Sequence, residues 1–424
     1  MQNDSTSPTI GKSLSYYFLM LTLVVVFFIC SGMGIFPYND ESDPKFGEVL
    51  GARFLYNSMF LAILAALIFL YRQSLAALAN YKLLTALIAV YFLSVAVSIN
   101  AKESLLFSIR ITLFVTYFAV IASVIKPQHL ARFIVIFFAV FAFANLGYIL
   151  AMPQNGLMGG IHSGAYRGLF SHKNQFGYFC AYGVIIFALA AVYSPRFSKL
   201  LLCGAIMMIF AFMMLKSNSS GALTAAIFGL LASFAILYSQ KIGATVKAVW
   251  LFVICFVCVA IIPFFNMLMN AALAMLGRDP SLTNRSDLWA LYMTEYIKSP
   301  FLGLGAKAYY FDEGIKGRIQ SALNVDSYLS PHNGYLDILL QIGAVGLVIY
   351  LLIVGSIVCK GIAKIFYGGD FIQKLLVVTT IMHLSRGVVE TNGSIQLSVY
   401  FAMIIMAYVV FANSKNSALN TSRP

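Results

Sequence analysis

Charged residues are scarce in this 424-residue chain, because only 10% of its side chains are Asp, Glu, Lys or Arg while 61% are hydrophobic. A water-soluble globular domain carries about 25% charged residues. The shortage excludes a soluble enzyme with a polar surface over most of its area. Acidic residues are especially few, since 15 Asp and Glu stand against 28 Lys and Arg.

Cysteine is also uncommon, and all six cysteines lie in or at the end of apolar runs. Cys255 and Cys258 have the spacing of a redox or metal motif, but no His or acidic residue is nearby. We interpret them as small packing residues. The sequence has no internal repeat of about 20 to 50 residues, which argues against a solenoid.

Long apolar runs are abundant, and a helix needs about 20 such residues to cross the hydrocarbon core of a bilayer. Backbone groups in lipid must bond to one another, so helices are expected. We predict an all-α polytopic membrane protein with about 12 transmembrane helices, forming a single transmembrane domain over residues 1–424. The predicted spans are 14–36, 53–71, 82–99, 105–125, 131–152, 175–193, 199–216, 220–239, 247–265, 335–358, 371–391 and 394–412.

The distribution of basic residues predicts the orientation of these spans. With the N-terminus in the cytoplasm, every predicted inner loop carries at least two Lys or Arg residues, and the only predicted inner acids are Asp4 and Asp370. This is the positive-inside pattern of a bacterial inner membrane protein. It explains the net charge of +13 without nucleic-acid binding, and it puts a flexible C-terminal tail, residues 413–424, in the cytoplasm.

One long loop, residues 266–334, separates predicted spans 9 and 10 and faces the periplasm. Capping residues followed by an apolar face predict a short amphipathic helix beginning near Arg285. The loop ends at Ser330-Pro331-His332-Asn333, which places His332 at the outer membrane surface. Long ordered loops commonly carry function.

Other polar residues are predicted on the same periplasmic side. The loop before span 6 places several cations and an amide ahead of a helix N-terminus, an arrangement that attracts anions. Span 11 carries His383, Arg386 and Glu390 at spacings that predict one helical stripe. The candidate substrate-binding residues are His172, Lys173, Asn174, Ser219, Arg386, Glu390 and Arg110, and Arg167 joins them as a candidate catalytic residue.

Charged side chains in or beside a span are costly unless they face a polar interior, so each is a functional candidate. Several arginines and histidines on one side would suit a lipid-linked phosphate. Each also has a structural explanation. Arg386 and Glu390 can neutralise each other, and Arg110 can pair with Glu103. Ser219 can cap a helix, and Lys173 can anchor the chain at the membrane interface.

Four segments, taken in order, resemble the O-antigen ligase and polymerase family over about residues 165–400. They are Arg-Gly-Leu-Phe-Ser-His-Lys-Asn from Arg167, the Ser-rich turn at 217–220, Asn-Arg-x-x-Leu-Trp followed by Ser-Pro-Phe-Leu-Gly-Leu-Gly, and His-Asn-Gly-Tyr-Leu-Asp from His332. Asn284 stands where the family more commonly has Gly. The loop before span 6, with His172-Lys173-Asn174, resembles exopolysaccharide polymerases more closely than ligases.

The resemblance implies a GT-C-like glycosyltransferase acting at the periplasmic face on an undecaprenyl-pyrophosphate-linked oligosaccharide. The acceptor would be another glycan, giving surface polysaccharide or exopolysaccharide, or lipid A core in an O-antigen ligase. It further implies that Arg167 and Arg285 bind the pyrophosphate and that His332 acts on the acceptor. No metal or other cofactor is required, because pyrophosphate is a stable leaving group that needs charge stabilisation. Histidine is a common general base, and attack opposite the leaving group inverts the anomeric centre.

Two other interpretations remain open from the sequence. A metal-dependent oligosaccharyltransferase would use acidic ligands such as the run from Asp40 to Asp43. A flippase or transporter of lipid-linked sugars would also need many helices and interior charges, but the sequence has no inverted repeat or matching pair of broken helices. A structural scaffold would not need so many outer cations.

Overall fold

The computed structural model describes residues 14–33, 50–239, 285–324, 330–366 and 368–414, and these ranges are helical, with no strand beyond two isolated bridges. Short 3-10 turns occur at Gly160–His162, Ala308–Phe311 and Thr391–Gly393. The α-helices are α1 (Leu14–Cys30), α2 (Leu50–Phe69), α3 (Tyr71–Asn80), α4 (Lys82–Ala96), α5 (Ala101–Val124), α6 (Pro127–Ala151), α7 (Pro153–Gly156), α8 (Lys173–Val192), α9 (Phe197–Lys216), α10 (Ser220–Ser239), α11 (Arg285–Tyr296), α12 (Glu313–Leu323), α13 (Gly334–Phe366), α14 (Phe371–Val389) and α15 (Val399–Asn413).

The described helices include 6 that are long and apolar enough to cross a membrane: α5, α6, α8, α9, α10 and α13. The pair α2 and α3, bent by 91°, makes up to 7 if it is counted as one span. Helices α1, α4 and α15 are apolar but shorter. The prediction of an all-α, multi-pass membrane protein is confirmed. The count of about 12 stays a prediction, and predicted span 247–265 lies outside the described residues.

Aromatic packing joins the central helices. Helix α8 packs against α9 and α10, α14 packs against α10, α13 and α15, and α15 also packs against α5. The rings of Phe138 in α6 and Phe179 in α8 stack with centroids 4.6 Å apart. The ring centroids of Tyr182 in α8 and Tyr400 in α15 lie 4.6 Å apart. These contacts join α8 to α6 and α15.

The end of α14 differs from the prediction. The helix stops at Val389, and Glu390 has extended backbone angles of φ −142° and ψ 135°. The predicted helical stripe is therefore wrong at Glu390. Gly393 explains the turn, because its backbone approaches Gly387 so closely that a side chain would clash. Helix α15 then begins at Val399, later than the predicted span 394–412.

The long loop contains two helices in its described part. Helix α11 lies at the position predicted for the short amphipathic helix, whereas α12 was not predicted. The Asp312 side chain caps α12 by accepting a hydrogen bond of 2.7 Å from the Ile315 N–H. Glu295 of α11 accepts hydrogen bonds from Lys298 at 2.5 Å and from Arg318 of α12 at 2.8 Å. The two helices therefore form one unit beside α13.

Helix α13 is interrupted at Gly343, where φ is +67° and ψ is −169°. The turn from Pro300 to Gly305 packs into this break, and the Ala344 N–H donates to the Pro300 carbonyl at 2.8 Å. A Cβ at Gly303 would lie 2.6 Å from the Gln341 carbonyl carbon. The glycines of the Ser-Pro-Phe-Leu-Gly-Leu-Gly segment thus permit close backbone contact. That contact determines the position of the residues that follow Gly305 in the chain.

Candidate active site

A cavity of about 390 Å³ lies where the N-terminus of α8, the turn at Ala308–Phe311, the segment before α13 and the end of α14 meet. Among the residues predicted from the sequence, it brings together His172, Asn174, His332, Arg386 and Glu390. The described lining is His172, Asn174, Gln175, Tyr178, Lys307, Tyr310, Ser330, His332, Arg386, Glu390, Thr391 and Gln396.

His332 enters the cavity wall from a left-handed backbone conformation, with φ of +47°. Such a conformation costs a non-glycine residue about 1–3 kcal/mol and often occurs at functional sites. The following residue, Asn333, caps α13 by accepting hydrogen bonds from the N–H groups of Tyr335 and Leu336 at 3.0 and 3.1 Å. The cap holds His332 at the start of α13, with 35% of its side chain exposed.

Glu390 is the carboxylate partner of His332. Its Oε2 lies 3.7 Å from Nδ1 of His332, a contact that is longer than a hydrogen bond. Asn174 Nδ2 donates to Oε1 of the same carboxylate at 3.3 Å. In the described structure Arg386 and Glu390 form no direct ion pair, because no N–O distance between them is within 4.0 Å, but the two charges still interact electrostatically. Glu390 has left the helix and turns toward His332.

Helix α11 connects the two segments that carry this pair. Arg285 Nη1 donates to the Val389 carbonyl at 2.7 Å, and Trp289 Nε1 donates to the Pro331 carbonyl at 2.8 Å. Arg285 also interacts electrostatically with Glu390. Arg285 and His332 are therefore neighbours at the same end of the protein, although Arg285 is not among the described residues that line the cavity.

Arg386 is the most enclosed cation of the cavity, with 2% of its surface exposed. Its Cζ lies 4.2 Å from the ring centroid of Tyr178 and 4.4 Å from that of Tyr400. Among the described residues, neither Nε nor Nη1 of Arg386 has a hydrogen-bond partner. A buried guanidinium with unused donors is suited to an anionic ligand.

The N-terminus of α8 contributes polar groups without a cation. His172 caps the helix, because its Nδ1 accepts a hydrogen bond of 3.1 Å from the Asn174 N–H. Its ring also makes an edge contact with His162, with centroids 5.8 Å apart. The Asn174 amide faces Glu390. This segment therefore contributes the imidazole of His172 and the amides of Asn174 and Gln175 to the cavity.

Arg167 and Lys173, from the same loop, are not among the described lining residues. Arg167 is 5% exposed, and its Nε donates to the Asn155 carbonyl at 2.8 Å. Lys173 Nζ donates to the Asn218 carbonyl at 3.3 Å. In the structure these cations bond to backbone carbonyls of neighbouring loops. Their predicted roles remain predictions.

Ser219 and Arg110 also lie apart from the described cavity lining. Ser219 Oγ accepts from the Ala222 N–H at 3.4 Å, which agrees with the alternative role as a helix cap. Arg110 is exposed on α5, and its Cζ lies 5.9 Å from the Phe60 ring centroid. The described structure contains no ion pair within 4.0 Å between Arg110 and Glu103.

Sequence reasoning missed Lys307 and Tyr310, which line the cavity from the long loop. Lys307 has a left-handed backbone with φ of +58°, and its Nζ lies 4.3 Å from the Tyr310 ring centroid. The preceding Gly-Leu-Gly turn was the available sequence signal. Other lining residues not singled out from the sequence are Gln175, Tyr178, Ser330, Thr391 and Gln396.

The site therefore combines cations, amides, hydroxyl groups and two imidazoles, of which that of His332 lies beside a carboxylate. Such groups can stabilise a developing anion and accept a proton. In the described part of the chain, no group of three or more His, Cys, Asp or Glu is placed to hold a metal ion. The acidic run from Asp40 to Asp43, considered as a source of metal ligands, lies outside the described residues.

Two comparisons bear on the family. A family model described as O-antigen ligase matches residues 205–351, a region that contains Arg285 and His332. The exopolysaccharide production protein ExoQ of Rhizobium meliloti (strain 1021) is 25% identical over 197 residues, which are 45% of this chain and 45% of the relative. The match thus spans less than half of the relative's length. Both findings agree with the resemblance to the O-antigen ligase and polymerase family that the sequence motifs indicate.

Proposed function

We propose that this chain transfers a glycan from undecaprenyl pyrophosphate to a saccharide hydroxyl at the periplasmic face, and that it polymerises surface or exopolysaccharide repeat units. The observation that carries the proposal is the single cavity that His332, Glu390 and Arg386 share. An imidazole backed by a carboxylate can accept a proton, and a buried cation with unused donors can bind an anion.

The leaving group is held by the cations at the end of α14. Buried Arg386 lines the cavity, and Arg285 of α11 donates a hydrogen bond to the Val389 carbonyl at the end of α14. Pyrophosphate leaves as an anion, so the main requirement is stabilisation of the charge that develops on its oxygen. Arg167 is the further cation that the family resemblance assigns to this role, and we retain it as a proposal.

His332 acts as the general base. The acceptor oxygen attacks the anomeric carbon, and His332 takes the proton of that hydroxyl as the new carbon–oxygen bond forms. The bond from the anomeric carbon to pyrophosphate breaks, and its electron pair stays with the pyrophosphate. Glu390 stabilises the resulting imidazolium from 3.7 Å away. Attack from the opposite side inverts the anomeric configuration and needs no metal.

The membrane setting follows from the sequence and the family. We propose a GT-C-like arrangement of about 12 spans with both termini in the cytoplasm and residues 266–334 in the periplasm. The positive-inside pattern supports this orientation. A lipid carrier would then present its pyrophosphate at the outer surface of the bilayer, close to the start of α13.

Polymerisation is the favoured reaction, because the His172-Lys173-Asn174 segment resembles exopolysaccharide polymerases and the Rhizobium relative is named for exopolysaccharide production. Ligation of glycan to lipid A core is the second candidate, because the matching family model is described as O-antigen ligase. Both reactions use the same donor chemistry and differ in the acceptor.

The test is transfer by purified protein in liposomes supplied with a lipid-pyrophosphate-linked repeat unit. A ladder of products from the donor alone supports a polymerase. Product formed only after addition of lipid A core supports the ligase alternative. Movement of labelled donor between leaflets without any new glycosidic bond would contradict both and support a transporter.

A further inference from the structure

Lys307 is a second cation of the cavity, and it lies on a different wall from Arg386. Its neighbours are Phe107 of α5, whose ring centroid is 5.6 Å from Nζ, and Tyr310, whose ring centroid is 4.3 Å away. Arg386 instead lies between Tyr178 and Tyr400. The cavity therefore presents positive charge from two separate structural elements.

The backbone at Lys307 is held firmly. Its N–H donates to Oε1 of Gln341 at 3.1 Å, and Gln341 Nε2 donates to Asp337 at 2.8 Å. The buried Asp337 carboxylate also accepts hydrogen bonds from Tyr309, Tyr310 and Ser394. These hydrogen bonds therefore maintain the left-handed backbone conformation of Lys307.

The positive charge of Lys307 has no direct counter-ion in the described structure, where no carboxylate oxygen lies within 4.0 Å of its Nζ. The nearby carboxylates are already engaged, Glu390 by His332 and Asn174, and Asp337 by its network. Burial lowers the pKa of Lys307, and the charge of Asp337 raises it in part. The cavity is therefore complementary to an anionic group near Lys307.

We propose that Lys307 determines substrate specificity by binding a carboxylate carried by the saccharide, as in a uronic acid. The inference rests on the proposed function, which assigns the pyrophosphate to Arg386 of α14 and to Arg285 of α11, which contacts the end of α14. Lys307 lies on a different structural element, next to Tyr310 and Phe107 of α5, so its charge is available to the sugar portion of a substrate. The enzyme would then act on acidic glycans in preference to neutral ones.

The experiment measures equilibrium binding of two trisaccharides to the full-length reconstituted protein by calorimetry. One ends in glucuronic acid and the other in glucose, so the only difference is that a carboxylate replaces the hydroxymethyl group of the terminal sugar. A charge-assisted hydrogen bond predicts about 10- to 100-fold tighter binding of the acidic sugar by the wild-type protein. Lys307→Met should reduce this ratio to near one, and Lys307→Arg should keep most of it.

Lys216→Met is the matched control, because Lys216 is exposed and lies 6.0 Å from the Phe212 ring centroid, outside the described cavity lining. It should keep the wild-type ratio. The proposal is overturned if wild type shows no preference, or if Lys307→Met retains it. It is also overturned if Lys307→Met weakens binding of inorganic pyrophosphate while the sugar preference survives.

Transfer from the lipid-linked donor is measured on the same samples. Absence of transfer in a wild-type protein that still binds the acidic sugar through Lys307 would refute the proposed function and leave the specificity role supported. Transfer without any charge preference would refute the specificity role alone.

Discussion

Replacing Glu390 by Gln tests how strongly this carboxylate supports His332. The substitution keeps the size of the side chain and removes its charge. Opposite charges separated by the observed 3.7 Å attract by about 4 kcal/mol at an effective dielectric constant of about 20, and by about 1 kcal/mol in water. Loss of this stabilisation from the transition state predicts a rate lower by about fivefold to about a thousandfold.

The assay is the initial rate of glycan transfer in liposomes at saturating donor, for wild type, Glu390→Gln, His332→Ala and the double variant. Because Glu390 acts through His332, Glu390→Gln should have little additional effect when His332 is already Ala. Equal rates for wild type and Glu390→Gln would show that the charge of Glu390 does not stabilise His332 in the transition state. A full additional loss in the double variant would show that Glu390 acts independently of His332.

Three further substitutions have defined outcomes. Arg285→Ala should lower the transfer rate by about 10²–10³-fold, with only partial recovery in Arg285→Lys, as initial rates would show; unchanged rates would remove Arg285 from the mechanism. Gly343→Ala should lower the unfolding temperature in detergent, because φ is +67° and a Cβ would clash with the Phe301 carbonyl. Gly355→Ala, in the same helix, should leave the unfolding temperature unchanged, because a Cβ at Gly355 meets no atom within 4 Å. Burial raises the pKa of Glu295, but hydrogen bonds and charges of Arg318 and Lys298 bring it below 4.5 overall. Its contribution to docking of α12, about 1 kcal/mol, is thus present above pH 4.5 and lost as the pH falls through the lowered pKa. Hydrogen exchange of α12 should show this pH dependence in wild type and not in Glu295→Gln.

The sequence predicted the fold class and the side of the protein on which the polar residues gather. Helix length, apolar composition and the alternation of basic loops fix how deep a residue lies along a membrane helix. His172, His332 and Arg386 were identified in this way, and all three line the cavity. Depth does not determine which face of a helix meets the cavity, because that depends on packing. Arg110 is therefore exposed beside Phe60 instead.

Lys307 and Glu390 show what the sequence pattern could not determine. Lys307 reaches the cavity because the turn before it packs into the break of α13 at Gly343, and an apolar run gives no indication of that break. Glu390 faces His332 because α14 ends at Val389. A spacing of four residues predicts a helical neighbour only while the helix continues.

The central claim is that His332 removes the acceptor proton while cations hold the departing pyrophosphate. The most direct measurement is the single-turnover rate of pyrophosphate-linked donor consumption by His332→Ala and wild type in chelator-treated buffer with acceptor present. We expect wild type to form inverted product without added metal and His332→Ala to be slower by about 10²–10⁴-fold. Wild-type rates in His332→Ala would contradict this claim.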